Sequence, residues 1–129
     1  MKKSVLIIDN DPIYLTITQK IIERFELADS IFIGRDGLES INLIKNRLVA
    51  NQLLPEIILL DLEMPIMNGW EFLDEYCKIK DSFPNQVSIY IVSSSISYTD
   101  KSKAKNYTDV KDFFSKPVSI ETLKEVLNS

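Results

Sequence analysis

Five short apolar runs, each followed by a stretch with helical spacing, limit what this chain can fold into. The runs are VLII (5–8), IFI (31–33), IILL (57–60), IYIV (89–92) and FF (113–114). All are of strand length and rich in Ile, Val and Phe. Three of them lack the alternation of a half-exposed strand, so they read as strands covered on both faces.

The intervening segments read as helices. Asp11 can cap a first helix with Pro12 at its first position. Ile13, Ile17, Ile21 and Phe25 recur every four residues and predict its buried stripe. A second helix is expected over roughly 37–52, with Leu38, Ile41, Ile44, Leu48 and Ala50 apolar. Asn68 with Glu71 three residues on has capping-box spacing and announces a third, whose apolar face is Phe72, Leu73, Tyr76 and Cys77. A fourth, about 99–107, is polar and lysine-rich, with only Ala104 and Tyr107 to bury. A fifth runs from Ile120 to Leu127, with Ser119 as its cap.

Strand–helix alternation repeated five times implies an α/β fold with a parallel sheet and helices on both faces. With 129 residues and no linker, repeat or low-complexity stretch, one domain over 1–129 is expected. No apolar run approaches the roughly 20 residues of a membrane span. The run after the two N-terminal lysines is too short for a signal peptide, so a cytoplasmic location is expected. A lone cysteine, Cys77, fits a reducing compartment. The net charge of −4 disfavours nucleic acid as a partner.

The chain contains no histidine. That excludes Ser/His/Asp and Cys/His catalytic sets and His-ligated zinc, and one cysteine excludes a thiolate cage. Chemistry must rest on carboxylates, hydroxyls, amides and lysines, and such oxygen ligands suit Mg²⁺, Ca²⁺ or Mn²⁺. In an open α/β sheet the functional crevice lies beyond the carboxyl ends of the strands. Asp9, Asn10 and Asp11 follow the first run, and Asp61 and Glu63 the third. Ser93, Ser94 and Ser95 follow the fourth, and Lys116 and Pro117 the fifth. The chemically useful residues therefore gather at one predicted rim.

LIIDNDP, IILLDLEMPIMNGWEFL, IVSSS and FFSKP stand in the order and spacing of the response-regulator receiver domain, and the chain resembles that family over essentially its whole length. The resemblance implies a flavodoxin-like (βα)5 fold with strand order 2-1-3-4-5. It implies that Asp61 is the phospho-acceptor, receiving a phosphoryl group from a histidine of a sensor kinase or histidine phosphotransfer protein. Mg²⁺ would be held by Asp9, by position 10, by Asp61 and by the backbone carbonyl of Glu63. Ser93 would bond the phosphate and Lys116 would pair with it, across a cis Lys116–Pro117 bond. Phe113 takes the aromatic switch position. Movement of Ser93 would let it turn inward and reshape the face of the fourth helix, fifth strand and fifth helix, altering the binding of a downstream protein. By the same resemblance the chain is a stand-alone receiver without an output domain, and no enzyme beyond its own phosphorylation and dephosphorylation.

Asn10 departs from the family, which has a second acid there, and weaker metal binding is the expectation. The Glu63 side chain is a candidate to restore the lost charge. TDVKDFF also replaces the usual glycine-containing turn before the last strand. Two other readings stay open. One is a degenerate receiver that binds partners without phosphorylation. The other is a haloacid-dehalogenase-like phosphatase, with Asp9 as nucleophile and Asp11 as acid/base, although no acidic pair follows Lys116.

Overall fold

The computed structural model describes residues 2–128. Five parallel strands, β1 (Lys3–Ile8), β2 (Ala28–Gly34), β3 (Ile57–Leu60), β4 (Ser88–Ser93) and β5 (Val110–Ser115), form one sheet in the order β2-β1-β3-β4-β5. Helices α1 (Pro12–Arg24), α2 (Gly37–Val49), α3 (Gly69–Ile79), α4 (Tyr98–Ala104) and α5 (Ile120–Asn128) alternate with them. This is the flavodoxin-like architecture.

The sheet separates two cores. Val5 and Ile7 of β1 and Ile57 and Leu59 of β3 face α1 and α5, where they meet Leu15, Ile22, Leu123 and Val126. Leu6, Ile8, Ile58 and Leu60 face α2 and α3, where they meet Ile41, Ile44, Phe72 and Tyr76. Both faces of the central strands are covered, which is why their sequences do not alternate. β2 and β5 at the edges are half-exposed and longer than their apolar centres, IFI and FF.

Of the expected buried stripe of α1 only Ile21 packs against the core. Ile13 is 70% exposed, Ile17 54% and Phe25 40%, while Leu15, Thr18 and Ile22 are buried. The sheet selects the face that continues the β1 and β3 core, and a four-residue repeat alone does not identify which face that is. Leu38, Ala50 and Cys77 also lie outside the cores on α2, just beyond it and on α3. The caps follow the sequence: Asp11 accepts from the backbone N–H of Ile13 at 3.0 Å and of Tyr14 at 3.4 Å. Asn68 and Glu71 close a capping box, and Ser119 accepts from the Thr122 N–H.

The sole tryptophan, Trp70 of α3, lies 5.9 Å from the ring of Tyr107, which follows α4. Lys103 of α4 sits over the indole at 4.8 Å, and the Tyr107 hydroxyl donates to Asp74 at 2.7 Å. Short, polar α4 thus gains an aromatic and charged tie to α3.

Candidate functional site

Parallel strands deliver their ends to one rim, and backbone bonds fix where each functional residue starts. The Asp9 N–H donates to the Gly34 carbonyl at 3.0 Å, and the Asp61 N–H donates to the Ile8 carbonyl at 2.9 Å. The two acids therefore stand side by side beyond β1 and β3. The Lys116 N–H donates to the Ser93 carbonyl at 2.9 Å, which aligns the ends of β4 and β5. Gly69 opens α3 where a Cβ would meet the Asp61 carbonyl at 2.5 Å, so the turn after β3 closes only around a glycine. The Lys116–Pro117 peptide bond is cis, as expected.

The Lys116 ammonium lies between the acids, 2.5 Å from Asp9 Oδ2 and 3.4 Å from Asp61 Oδ2. Asp9 is fully buried, and its other oxygen accepts from the Asp11 N–H at 2.9 Å. Asp9 Oδ2 is engaged by the Lys116 ammonium alone. The Ser93 hydroxyl is also buried without a partner. A buried hydroxyl with unmet bonding capacity at this rim is the mark of a polar group to be received there.

Burial, and then the charge of Asp9, raise the Asp61 pKa above the ordinary carboxylate range, against the opposing pull of Lys116 and of the Glu63 N–H. Burial works against the charge of Lys116, but Asp9 and Asp61 together outweigh it and its pKa is raised.

The donor set fits a hard divalent cation by its chemistry. The Asp9 and Asp61 carboxylates, the Asn10 amide oxygen and the Glu63 carbonyl are oxygen ligands only. The set is lean in charge, because no three acids gather at a point among the described residues. Asn10 is exposed at the rim. The Glu63 side chain does not replace the missing charge. It is exposed and lines a neighbouring cleft of about 320 Å³ with Met64, Trp70, Ser95 and Asp100. Residues 61–63 lie beyond the end of β3, where no strand alternation fixes the direction of the Glu63 side chain.

Asp11 is exposed and engaged in capping α1, so it is no acid/base partner for Asp9. The phosphatase reading loses its second group. Phe113 is half-buried and packs against Leu62, Ile91 and Ala104. One further residue reaches the site: the half-buried ring of Tyr14 has its centroid 4.6 Å from the Lys116 ammonium. No sequence signal marks it, because Lys116 is distant in the chain and meets the ring only in the folded sheet.

A family profile described as the response regulator receiver domain matches residues 5–128. Protein PilH of Pseudomonas aeruginosa is 26% identical over 97% of this chain and 94% of its own length. The chain also matches 29% of a protein-glutamate methylesterase/protein-glutamine glutaminase of Treponema denticola at 32% identity over 92% of this chain. It thus spans most of the length of some relatives and a third or less of others. A two-component response regulator from Cytophaga hutchinsonii superposes with a TM-score of 0.87 at 32% identity, covering 99% of this chain and 96% of its own. No helix among the described residues is long and apolar enough to cross a membrane. The strand order, the residues at the rim and the profile together make the chain a member of the response-regulator receiver domain family of two-component signalling.

Proposed function

We propose that Asp61 accepts a phosphoryl group from a phosphohistidine on a sensor kinase or histidine phosphotransfer protein. A carboxylate oxygen of Asp61 forms the new O–P bond as the N–P bond breaks, and the imidazole leaves with the electron pair. These 129 residues contain no histidine, so the donor histidine lies outside them. Lys116 stands ready to pair with phosphoryl oxygens, and the unpartnered Ser93 hydroxyl to donate to one. Asp9, Asp61, the Glu63 carbonyl and, weakly, Asn10 would hold Mg²⁺. When bound it supplies positive charge against the crowding of anionic oxygens. Ser93 drawn to the phosphate would vacate space beside β5. Phe113, half-buried there, would turn inward and alter the face of α4, β5 and α5 for a downstream protein. The observation that carries the reading is the convergence of Asp61, Lys116 and a buried, unpartnered Ser93 hydroxyl at one rim.

The test is mass spectrometry after incubation with a small phosphoryl donor and Mg²⁺. One phosphoryl group on Asp61, absent in Asp61→Asn, is expected. Phosphate on Asp9, or none on the wild-type chain, would overturn the reading. A second reading, phosphorylation-independent partner binding, is favoured by one observation: exposed Asn10 and the lack of a third acid leave the metal little charge. It would gain if beryllofluoride with Mg²⁺ produced no spectral change.

A further inference from the structure

Lys116 reaches the rim on a flexible four-carbon stem, and its tightest contact is with Asp9. Asp9 is also the acid that any cation entering the site would engage, so this contact cannot be the lysine's only restraint. The third neighbour of the ammonium is the ring of Tyr14 at 4.6 Å. An aromatic face attracts an ammonium through its quadrupole without adding a negative charge that would compete for the lysine or the metal.

The ring is itself held by its backbone and by packing. The Tyr14 backbone lies in the first turn of α1, where its N–H donates to the capping Asp11 carboxylate. Its hydroxyl end lies toward Thr18, one turn on and buried. Its body packs against the core on the α1 and α5 side of the sheet. A lysine between two carboxylates and a clamped aromatic wall has little room to swing into solvent.

We propose that Tyr14 is a positioning residue for Lys116, its ring keeping the ammonium over the Asp61 carboxylate when Asp9 is engaged elsewhere. The inference rests on the phospho-acceptor reading of Asp61. The site has one acid fewer than its family's usual complement, and an uncharged electron-rich surface stabilises the lysine without recruiting a further anion.

The experiment compares the wild-type chain with Tyr14→Phe and Tyr14→Leu, with Tyr14→Met as a second apolar filler. The Lys116 ε-methylene protons, assigned with Lys116→Gln, are followed in ¹³C-lysine-labelled protein with and without Mg²⁺. Phosphorylation by phosphoramidate is timed by intact mass. A ring-current upfield shift is expected in wild type and Tyr14→Phe, in both conditions, and none in the Leu and Met variants. Phosphorylation of Tyr14→Phe should stay within about two-fold of wild type, and the Leu and Met variants should slow by roughly ten-fold, the order of a desolvated cation–π contact. Wild-type rates in either apolar variant, slowing of Tyr14→Phe to their level, or no upfield shift in wild type would overturn the inference. Failure of the wild-type chain to be phosphorylated on Asp61 would overturn the phospho-acceptor reading and this inference with it, whereas equal rates in all variants would overturn this inference alone.

Discussion

Asp61 is held in an environment that opposes its charge, and this has a measurable consequence. Its carboxyl is raised by burial and then by Asp9, so the folded chain binds that proton more readily than the unfolded chain does. Ionisation of Asp61 therefore costs stability, and the cost grows as pH rises from the ordinary carboxylate range through the raised value. Without Mg²⁺, Asp61→Asn should melt above wild type at neutral pH, with the gap closing as pH falls; calorimetric melting temperatures across pH check this, and a variant that melts lower at pH 7 would contradict it. Asn10→Asp should act in the opposite direction. It adds a carboxylate at the rim, strengthens Mg²⁺ binding by several-fold, about 1 kcal/mol for an exposed added charge, and lowers the metal-free melting temperature. Titration with Mg²⁺ followed by calorimetry measures both effects. At this scale the sequence was informative where a residue's role is local. Asp11 as a cap, Asn68 with Glu71, and the strand-end position of Asp9 and Asp61 follow from neighbours in the chain. The reach of Glu63 and the ring of Tyr14 depend on how distant segments are brought together, and neither could be read from spacing.

Among the elements, α1 shows how far periodicity goes. Its existence and start were legible, and its buried face was not, because Leu15, Thr18 and Ile22 are selected by the sheet beneath them. Ile13 and Ile17 remain exposed on the helix that begins beside Asp9. Paired apolar side chains bordering a reactive pocket suit contact with a protein donor. Ile17→Asp is expected to change folding stability by no more than about 0.5 kcal/mol. It should leave phosphorylation by a small donor intact and slow transfer from a phosphohistidine-bearing protein. Leu15→Ala, on the opposite face, should cost about 2–5 kcal/mol. Denaturant melts and parallel transfer assays separate the two faces. Equal loss with both donors on Ile17→Asp would show that the stripe serves the fold. The edge strands were legible only at their apolar centres, since β2 and β5 extend into polar residues that pair through backbone alone.

In the molecule as a whole, one parallel sheet places its chemistry at one rim and its cores on both faces. The rim was legible because polar residues end four of the five apolar runs, whereas the strand order came only with the family resemblance. The tie between α3 and α4 was not, since Trp70, Tyr107, Lys103 and Asp74 meet only through the folded sheet. That tie gives the protein a built-in optical gauge. Indole emission depends on its immediate charges and ring neighbours, and all the tryptophan emission of this chain comes from one ring. Lys103 lies over that ring and Tyr107 beside it, both in or next to the helix whose surface the proposed switch alters. Beryllofluoride with Mg²⁺ should shift the emission in the wild-type chain and not in Asp61→Asn. Lys103→Met should change the resting spectrum while leaving Asp61 phosphorylation in place. The state of α4 would then be read in solution, in real time, without attaching a dye.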